Sequence, residues 1–361
     1  MIRELGISVY PFHSKMEENK AYIDLAAKYG FTRCFMCLLS VEHSKEDVKK
    51  EFSEIINYAK DKGIKTTLDI SPDVFKHLDI SYNDLSFFYE LGAWAIRLDL
   101  GFSGNEESLM TYNPYNLKIE LNMSNDTTYL DTIMYYKPNR ENLIGCYNFY
   151  PHKYSGLKKE YFINSMKRFN SYSISTSAFV TASEATFGPW PVCDGLPSVE
   201  EHRYLPIEVQ AMELFFLGVE CVFISDCYAN EDTFKKLSNL NKSLITFKAH
   251  LDNNLDDIQR DIVLKTLHQN RIDASEYFIR SSRSRITDKN KSVKLFNPTK
   301  TIKRGDILID SSEYGTYVGE LQIALRDLEN TGRTNVVGKI DDDYLFLLDY
   351  IGPANRFLIV E

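Results

Sequence analysis

Charged and amide side chains occupy alternate positions on three successive predicted strands. The patterns are Thr67-x-Asp69, Arg97-x-Asp99 and Lys118-x-Glu120-x-Asn122, and the residues between these positions are apolar. Because side chains alternate between the two faces of a strand, the apolar set packs beneath helices while the polar set points the other way. Charges inside a sheet are costly unless they are paired or used. The three patterns therefore indicate a catalytic site.

Paired carboxylates on neighbouring strands are the groups that a glycoside hydrolase needs. Neighbouring strands lie about 4.8 Å apart, and the two carboxyl groups are about 5–5.5 Å apart in retaining enzymes and farther apart in inverting ones. Asp99 and Glu120 are the leading catalytic candidates, and Asp69 is the third. An interior ion-pair network with Arg97 and Lys118 is the alternative, and the stereochemistry stays open.

Other candidate residues follow the ends of further predicted strands. An amide or imidazole there suits sugar hydroxyls, and a tyrosine suits the face of a sugar ring. Arg203 follows the Gly/Pro-rich segment 186–198 and lies just ahead of a predicted helix, a place that suits an anionic ligand. An exposed capping segment would show the same sequence pattern. The substrate-binding candidates in this part of the chain are Tyr10, Arg97, Asn122, Asn148, Tyr150, His152, Glu200, His202 and Arg203.

The elements that position these residues predict an α/β fold, a TIM-like (β/α)8 barrel over residues 1–240. Active sites of such barrels lie at the carboxyl ends of the strands. The predicted strands are Glu4–Tyr10, Arg33–Leu39, Ile64–Ile70, Ala93–Asp99, Leu117–Asn122, Leu143–Phe149, Ser173–Val180 and Cys221–Ser225. The predicted helices are Glu17–Tyr29, Lys45–Lys62, Tyr82–Leu91, Thr127–Tyr136, Lys158–Asn170, Pro206–Leu217 and Asn230–Leu240.

A separate, smaller β domain is expected over residues 242–361. The chain changes there from alternating strands and helices to short β-type runs with turn signals between them. Those runs are Glu276–Arg280, Asp306–Ile309, Thr334–Lys339 and Phe357–Val360.

Composition excludes several classes of function. The net charge of −9 is spread along the chain, which argues against nucleic-acid and membrane-surface partners. No apolar run approaches the roughly 18 residues of a membrane span, and the N-terminus lacks a signal-peptide layout, so we expect a cytoplasmic protein. Nucleotide-binding glycine motifs and zinc-ligand spacings are absent from the sequence, and Cys34 and Cys37 should face opposite sides of a strand. We therefore expect no cofactor and no metal.

At the candidate site residues and around them, the sequence resembles the 6-phospho-N-acetylmuramidase family of bacterial cytoplasmic glycosidases. The resemblance reaches both predicted domains through many short segments in the same order. The segments are Leu5–Pro11, Lys28–Arg33, Leu38–Ser40, Arg97–Phe102, Glu120–Asn125, Asn148–His152, Gly156–Leu157, Phe187–Trp190, Asp194–Pro197, Glu200–Arg203, Gly305–Asp306, Tyr314–Gly315, Gly319–Ala324 and Asn335–Gly338.

The resemblance implies a TIM-like barrel followed by a cyclophilin-like β domain. It also implies hydrolysis of the disaccharide N-acetylmuramic acid 6-phosphate–N-acetylglucosamine during cell-wall (peptidoglycan) recycling. In that reading Arg203 and Arg285 are candidates for the phosphate or the lactyl carboxylate. Members often carry an acidic residue where this chain has Phe12, and basic residues where it has Thr316 and Val318. These departures leave the exact disaccharide open.

Two other functions stay open at this stage. A barrel followed by a β domain is also the layout of a pyridoxal-phosphate enzyme, which would need a lysine where this chain has Tyr10-Pro11-Phe12. A non-catalytic sensor of sugar phosphates would use the same binding residues without turnover. The expected partner is a small phosphorylated disaccharide. The sequence does not determine the oligomeric state, and a homodimer is possible.

Overall fold

The computed structural model describes residues 3–39, 44–125, 128–287 and 292–361. Ser40, which ends one family-like segment, and Thr127, which begins a predicted helix, lie outside these ranges. The chain divides into two compact units, Met1–Leu240 and Asn241–Glu361. Within the described ranges, no helix is long and apolar enough to cross a membrane.

The first unit is a closed barrel of eight parallel strands, which confirms the predicted fold class. Its strands are β1 (Glu4–Val9), β2 (Arg33–Cys37), β3 (Lys65–Ile70), β4 (Ala95–Leu98), β5 (Lys118–Asn122), β6 (Leu143–Cys146), β7 (Ser175–Val180) and β8 (Cys221–Ile224). The sheet closes where β1 pairs with β8. Each strand lies within its predicted run, because short apolar runs between helical patterns mark the barrel strands.

The helices of the first unit follow the strands in the chain. They are α1 (Met16–Lys28), α2 (Lys45–Asp61), α3 (Pro72–His77), α4 (Ser86–Glu90), α5 (Asn105–Met110), α6 (Tyr129–Tyr135), α7 (Lys159–Ser171), α8 (Ile207–Leu217) and α9 (Glu231–Ser238). The sequence prediction missed α3 and α5, which are too short to show a helical period. Glu107 in α5 accepts a hydrogen bond from the Gly104 amide at 2.6 Å and another from the Phe102 amide. This carboxylate fixes the loop that follows Asp99.

Aromatic side chains fill one side of the barrel interior. The Phe35 ring lies 5.1 Å from the Phe179 ring, and the Phe179 ring lies 5.5 Å from the Phe223 ring, measured between centroids. All three are buried. Rings of this size fill the space beside β2, β7 and β8, and most of the buried charged side chains of the interior lie on β3, β4 and β5, with Arg33 joining them from β2.

The second unit is built mainly of β-strands. Its elements are β9 (Ile245–Leu251), α10 (Asp257–Leu264), β10 (His268–Gln269), β11 (Phe278–Ser281), α11 (Arg283–Thr287), β12 (Thr301–Ile302), β13 (Asp306–Asp310), β14 (Leu321–Ala324), β15 (Leu328–Glu329), β16 (Thr334–Ile340) and β17 (Arg356–Val360). Seven strands form one mixed sheet in the order β10-β17-β9-β16-β13-β14-β11, and β12 pairs with β15. The likeness to cyclophilin stays a prediction.

Candidate active site

A cavity of about 160 Å³ lies inside the first unit, among residues at the carboxyl ends of barrel strands. Three of the charged residues predicted from strand alternation line it, together with aromatic and aliphatic side chains. The lining residues are Phe35, Cys37, Leu39, Asp69, Arg97, Asp99, Asn148, Phe149, Phe179 and Trp190. A small concave space with a few convergent polar groups is the usual form of a binding site.

The guanidinium of Arg97 organises the polar wall of this cavity. Its Nη1 donates to Asp69 Oδ1 at 2.6 Å and to Asp99 Oδ1 at 3.2 Å, and its Nη2 donates to Asn148 Oδ1. Arg97 itself is only 2% exposed. A buried guanidinium of this kind holds its partners in fixed positions because it offers several donors in one plane.

The two carboxylates that share Arg97 have different surroundings. Asp69 is 3% exposed, whereas the Asp99 side chain is 31% exposed. Burial raises the pKa of the Asp69 carboxyl to about 7; Arg97 acts in the opposite direction, and Asp99 adds to the rise. A carboxyl group that is half protonated at neutral pH can donate a proton, and its neighbour Asp99 is the more accessible of the two carboxylates.

Glu120 does not line the cavity, contrary to its place in the leading pair. The strand register aligns Asp69, Arg97 and Glu120 in one row, but only Asp69 and Arg97 line the cavity. Its side chain is fully buried, and its nearest cation is Arg33, with Nη2 at 3.7 Å from Oε2. Burial raises the pKa of this carboxyl, while Arg33, Arg97 and the Cys146 thiol lower it. Glu120 therefore forms a buried ion pair with Arg33 outside the cavity.

The alternative considered from the sequence was an interior ion-pair network with Arg97 and Lys118. Arg97 does pair with Asp69 and Asp99, but Lys118 takes no part in such a network. The Lys118 ammonium donates to the Glu141 carbonyl at 2.9 Å and to Asn142 Oδ1 at 2.8 Å, because Lys118 begins its strand and lies at the opposite end of the barrel.

Amide side chains support the cavity from β5 and β6. Asn122 Nδ2 donates to the Asp99 carbonyl at 3.0 Å, and Asn122 Oδ1 accepts from the Ser124 amide at 2.9 Å. Asn148 lines the cavity, and its backbone N–H donates to Ser124 Oγ at 2.7 Å. Tyr150 is partly buried, and burial raises the pKa of its hydroxyl. Asn122 therefore positions the backbone at Asp99, whereas Asn148 faces the cavity.

Tyr10 and His152 make contacts with the protein rather than with the cavity. The buried Tyr10 hydroxyl donates to the Ser225 carbonyl at 2.6 Å and so ties the end of β1 to the residue after β8. His152 is exposed, and its Nδ1 lies 2.6 Å from the Lys153 carbonyl oxygen. Neither residue lines the cavity.

Arg203 holds three loop segments together instead of presenting its charge to a ligand. Its Nε and Nη2 donate to the two oxygens of Glu200 at 2.7 and 2.6 Å. Its remaining donors reach backbone carbonyls at Tyr150, His152, Asp194 and Gly195. The bond from Arg203 lowers the pKa of Glu200 to about 2.

The anion-binding role expected of Arg203 is therefore not supported, because these contacts occupy its guanidinium. His202 is likewise engaged elsewhere: it is fully buried, and its Nε2 lies 2.5 Å from Glu213 Oε2. Glu213 lies on α8, so this pair packs on the helical layer of the barrel.

Arg285 lies in the second unit, where its Nη1 is 3.1 Å from Glu320 Oε2 and its guanidinium lies over the Tyr317 ring. It lines a separate cavity of about 700 Å³ together with Arg271 and Arg280. This environment is compatible with an anionic group.

Trp190 is one of the cavity residues that the sequence analysis did not predict as a ligand contact. It is 40% exposed and lines the cavity. It belongs to the Gly/Pro-rich segment 186–198, whose length already indicated a functional loop. Phe149 and Leu39 also line the cavity, and they were missed because apolar residues after a strand look like ordinary core.

The fold and the cavity define a (β/α)8-barrel protein with two carboxylates arranged around one buried arginine at the carboxyl ends of its strands. Residues 5–239 match the family domain described as 6-phospho-N-acetylmuramidase, N-terminal, and residues 245–360 match the one described as 6-phospho-N-acetylmuramidase, C-terminal. The chain belongs to the 6-phospho-N-acetylmuramidase family, whose name describes a glycosidase.

Two crystal structures are similar over the whole chain. An uncharacterized B. cereus protein is 45% identical, with 100% of both chains covered and a TM-score of 0.93. A conserved Enterococcus faecalis protein of unknown function is 24% identical, with 99% of this chain and 96% of that chain covered and a TM-score of 0.72, which shows the fold alone. No curated protein matches the sequence.

Proposed function

We propose that this chain hydrolyses the disaccharide N-acetylmuramic acid 6-phosphate–N-acetylglucosamine to N-acetylmuramic acid 6-phosphate and N-acetylglucosamine. The observation that carries the proposal is the pair of unlike carboxylates, Asp69 and Asp99, held by Arg97 in one cavity. Family membership supports the substrate. A cytoplasmic role in cell-wall recycling is part of the same proposal.

Asp69 is the proposed general acid and Asp99 the proposed nucleophile. Asp69 is the buried carboxyl whose pKa is raised to about 7, so a large fraction carries a proton at neutral pH. Asp99 is the more exposed carboxylate beside the arginine. Because both Oδ1 atoms bond to the same Arg97 nitrogen, they lie within roughly 6 Å of each other, which favours the close spacing of retaining enzymes.

The bond changes follow from this assignment. Asp99 attacks the anomeric carbon while Asp69 gives its proton to the leaving glycosidic oxygen, which releases N-acetylglucosamine. A water molecule then attacks the glycosyl ester, Asp69 takes a proton from that water, and Asp99 leaves as a carboxylate. Arg97 keeps both carboxyl groups oriented throughout.

Substrate contacts are proposed for the remaining cavity residues. The Trp190 ring offers a flat apolar surface for the C–H face of a sugar, and the Asn148 amide offers a hydrogen-bonding group beside the carboxylates. Arg285 lies in the second unit and does not line this cavity, so its role toward the phosphate or the lactyl carboxylate stays a prediction. Tyr10, Asn122 and Arg203 act in this proposal as positioning residues.

Mass spectrometry of the products tests the proposal. Purified protein is incubated with the phosphorylated disaccharide and, in parallel, with its unphosphorylated form. Release of N-acetylglucosamine from the phosphorylated form, and its loss in Asp69→Asn and Asp99→Asn, is the expected result. Glu120→Gln is the matched variant, because it removes a buried carboxylate that does not line the cavity, and it should retain activity within about tenfold. No cleavage of either disaccharide would refute the proposal.

A non-catalytic sensor is the second candidate, and the same experiment separates it, because a sensor would bind the disaccharide and release no product. The pyridoxal-phosphate alternative is not favoured. It requires a lysine near the end of β1, where the Tyr10 hydroxyl instead donates to the Ser225 carbonyl, and Lys118 lies at the opposite end of its strand from the cavity.

A further inference from the structure

One buried carboxylate, that of Glu107 on α5, holds the segment that follows Asp99 in the chain. Its Oε2 accepts a hydrogen bond from the Gly104 backbone N–H at 2.6 Å, and its Oε1 accepts bonds from the Phe102 backbone N–H and the Tyr129 hydroxyl. Glu107 itself is 0% exposed. Hydrogen bonds to a carboxylate are roughly twice as strong as bonds between neutral groups. Glu107 therefore fixes both backbone amides firmly.

The backbone at Gly101 is built closely around this carboxylate. A Cβ atom on Gly101 would overlap the Tyr129 hydroxyl oxygen and would lie 2.9 Å from Glu107 Oε1. Both approaches are closer than van der Waals packing allows. Glycine at this position therefore leaves the space through which the Tyr129 hydroxyl reaches Glu107.

The aromatic ring of Phe102 ties the same segment to the residues that follow β3. Its centroid lies 5.5 Å from that of Phe75 on α3 and 6.1 Å from that of Tyr82. The segment is therefore held from two sides, by Glu107 on α5 and by rings that come after the strand of Asp69.

The chain directly after Asp99 has little packing of its own. Leu100 is 60% exposed, and Gly101 has no side chain. The Asp99 N–H donates to the Ile70 carbonyl at 3.0 Å, and the Asp99 carbonyl accepts from Asn122 Nδ2 at 3.0 Å. The next firmly held backbone groups are the two amides bonded to the buried carboxylate of α5.

The Asp99 carboxylate is held less firmly than that of Asp69. Its bond from Arg97 Nη1 is 3.2 Å long, whereas the bond from the same nitrogen to Asp69 is 2.6 Å long. The Asp99 side chain is also 31% exposed. Its position therefore depends on the backbone, and a shift of the segment would move it away from Arg97.

We propose that Glu107 is a positioning residue for Asp99. By holding the Phe102 and Gly104 amides, it sets the path of the chain after β4 and keeps the Asp99 carboxylate beside Arg97. Glu107 does not line the cavity, so it acts through the segment. The consequence for hydrolysis rests on the proposed role of Asp99 as the nucleophile, whereas the placement of its carboxylate can be measured without turnover.

The titration of Asp69 reports this placement. The groups that act on Asp69 are Arg97 on β4, Asp99 directly after it, Glu120 on β5 and the Cys37 thiol on β2. Asp99 raises the pKa of Asp69, and Arg97 lowers it. If the Asp99 carboxylate moves away, a like charge is lost and Arg97 bonds to Asp69 alone. Both changes lower the pKa of Asp69.

Carboxyl-carbon NMR of the full-length protein, labelled in its aspartate side chains, measures the titration, and the Asp69 signal is the one absent from Asp69→Asn. Glu107→Gln keeps the size of the side chain but leaves one oxygen, so either the Gly104 or the Phe102 N–H loses its acceptor. We expect the Asp69 midpoint to fall by about half a pH unit or more. In the hydrolysis assay kcat should fall about tenfold or more with KM within about twofold, because misplacing a reacting group lowers the rate of the chemical step.

Gly101→Ala tests the same carboxylate from the exposed side of the segment. Gly101 is exposed, so this variant should fold even if Glu107→Gln does not. Its methyl group displaces the Tyr129 hydroxyl and presses on Glu107. We expect the Asp69 midpoint to fall in this variant as well.

Glu213→Gln is the matched control. Glu213 is likewise 0% exposed, but it lies on α8 beside His202 and does not line the cavity, so the Asp69 midpoint should stay unchanged. An unchanged midpoint in both Glu107→Gln and Gly101→Ala, or an equal fall in Glu213→Gln, would overturn the proposal, even where the melting temperature falls. If the wild type cleaves neither disaccharide, the proposed function fails, and the Asp69 midpoints still decide the role of Glu107.

Discussion

Replacing Asp69 by asparagine should remove the alkaline limb from the pH profile of kcat/KM. Burial raises the pKa of this carboxyl from its ordinary value near 3.9 to about 7. In the proposed mechanism only the protonated form is active in the first step. Half of the protein carries that proton at pH 7, about one tenth at pH 8 and about one hundredth at pH 9.

The wild-type kcat/KM should therefore fall about tenfold between pH 8 and pH 9. Asparagine has no proton of suitable acidity, so kcat/KM of Asp69→Asn should be about 10²- to 10⁴-fold lower and level above pH 7. Initial rates of N-acetylglucosamine release from the phosphorylated disaccharide, measured from pH 5 to 9.5, provide the profile. Because Asp69 and Asp99 share Arg97, the observed limb belongs to the coupled pair.

Asp226→Asn is the matched control for this experiment. Asp226 is fully buried, and burial raises its pKa to about 7 as well. Its oxygens accept from the Thr181 and Ser225 hydroxyls at 2.5 and 2.8 Å, and it does not line the cavity. Asp226→Asn should keep the alkaline limb. A tenfold fall that persists in Asp69→Asn, or disappears in Asp226→Asn, would refute Asp69 as the proton donor.

Three further substitutions test the surrounding residues. Arg97→Met should lower kcat by about 100-fold or more. It should also move the alkaline limb to higher pH, because the positive charge of Arg97 lowers the pKa of Asp69. An alkaline limb at the same or lower pH would contradict this effect of Arg97 on Asp69. Trp190→Ala should raise KM about tenfold with little change in kcat, which corresponds to a loss of about 1.4 kcal/mol of binding free energy. Trp190→Phe should keep a KM near that of the wild type. Steady-state rates distinguish the two variants, and an unchanged KM in Trp190→Ala would exclude stacking of the sugar on this ring. Arg203→Met should destabilise the barrel by about 3 kcal/mol, which would lower the melting temperature by about 5–10 °C. KM should change equally for phosphorylated and unphosphorylated substrates. A rise in KM confined to the phosphorylated substrate would restore a phosphate-binding role for Arg203.

Much of the barrel could be predicted from the sequence because its signals are local. The alternation in Arg97-x-Asp99 and Thr67-x-Asp69 assigns these side chains to one face whatever the partner strand is. The cavity indeed contains Asp69, Arg97 and Asp99. Short helices such as Asn105–Met110 were missed, since one and a half turns leave no period to detect.

Glu120 shows where local reasoning fails. Its alternation with Asn122 places it correctly on the interior face, but Asp69 and Glu120 are both register partners of Arg97, and only Asp69 lines the cavity. The two carboxylates differ in their buried partners, which are Arg97 for Asp69 and Arg33 for Glu120. The tilt of the strands and these partners are set only when the barrel closes, so the spacing within one strand carries no information about them.

The sequence by itself determined the fold class, the interior face of each strand and the set of charged residues from which a catalytic pair could come. Only the tertiary structure decided that Asp69 rather than Glu120 accompanies Asp99, and that the Arg203 guanidinium is occupied by Glu200 and loop carbonyls. The physical reason is the range of the interactions. Side-chain alternation is fixed by the geometry of each strand, whereas depth, burial and hydrogen-bond partners arise from segments that meet only when the barrel closes.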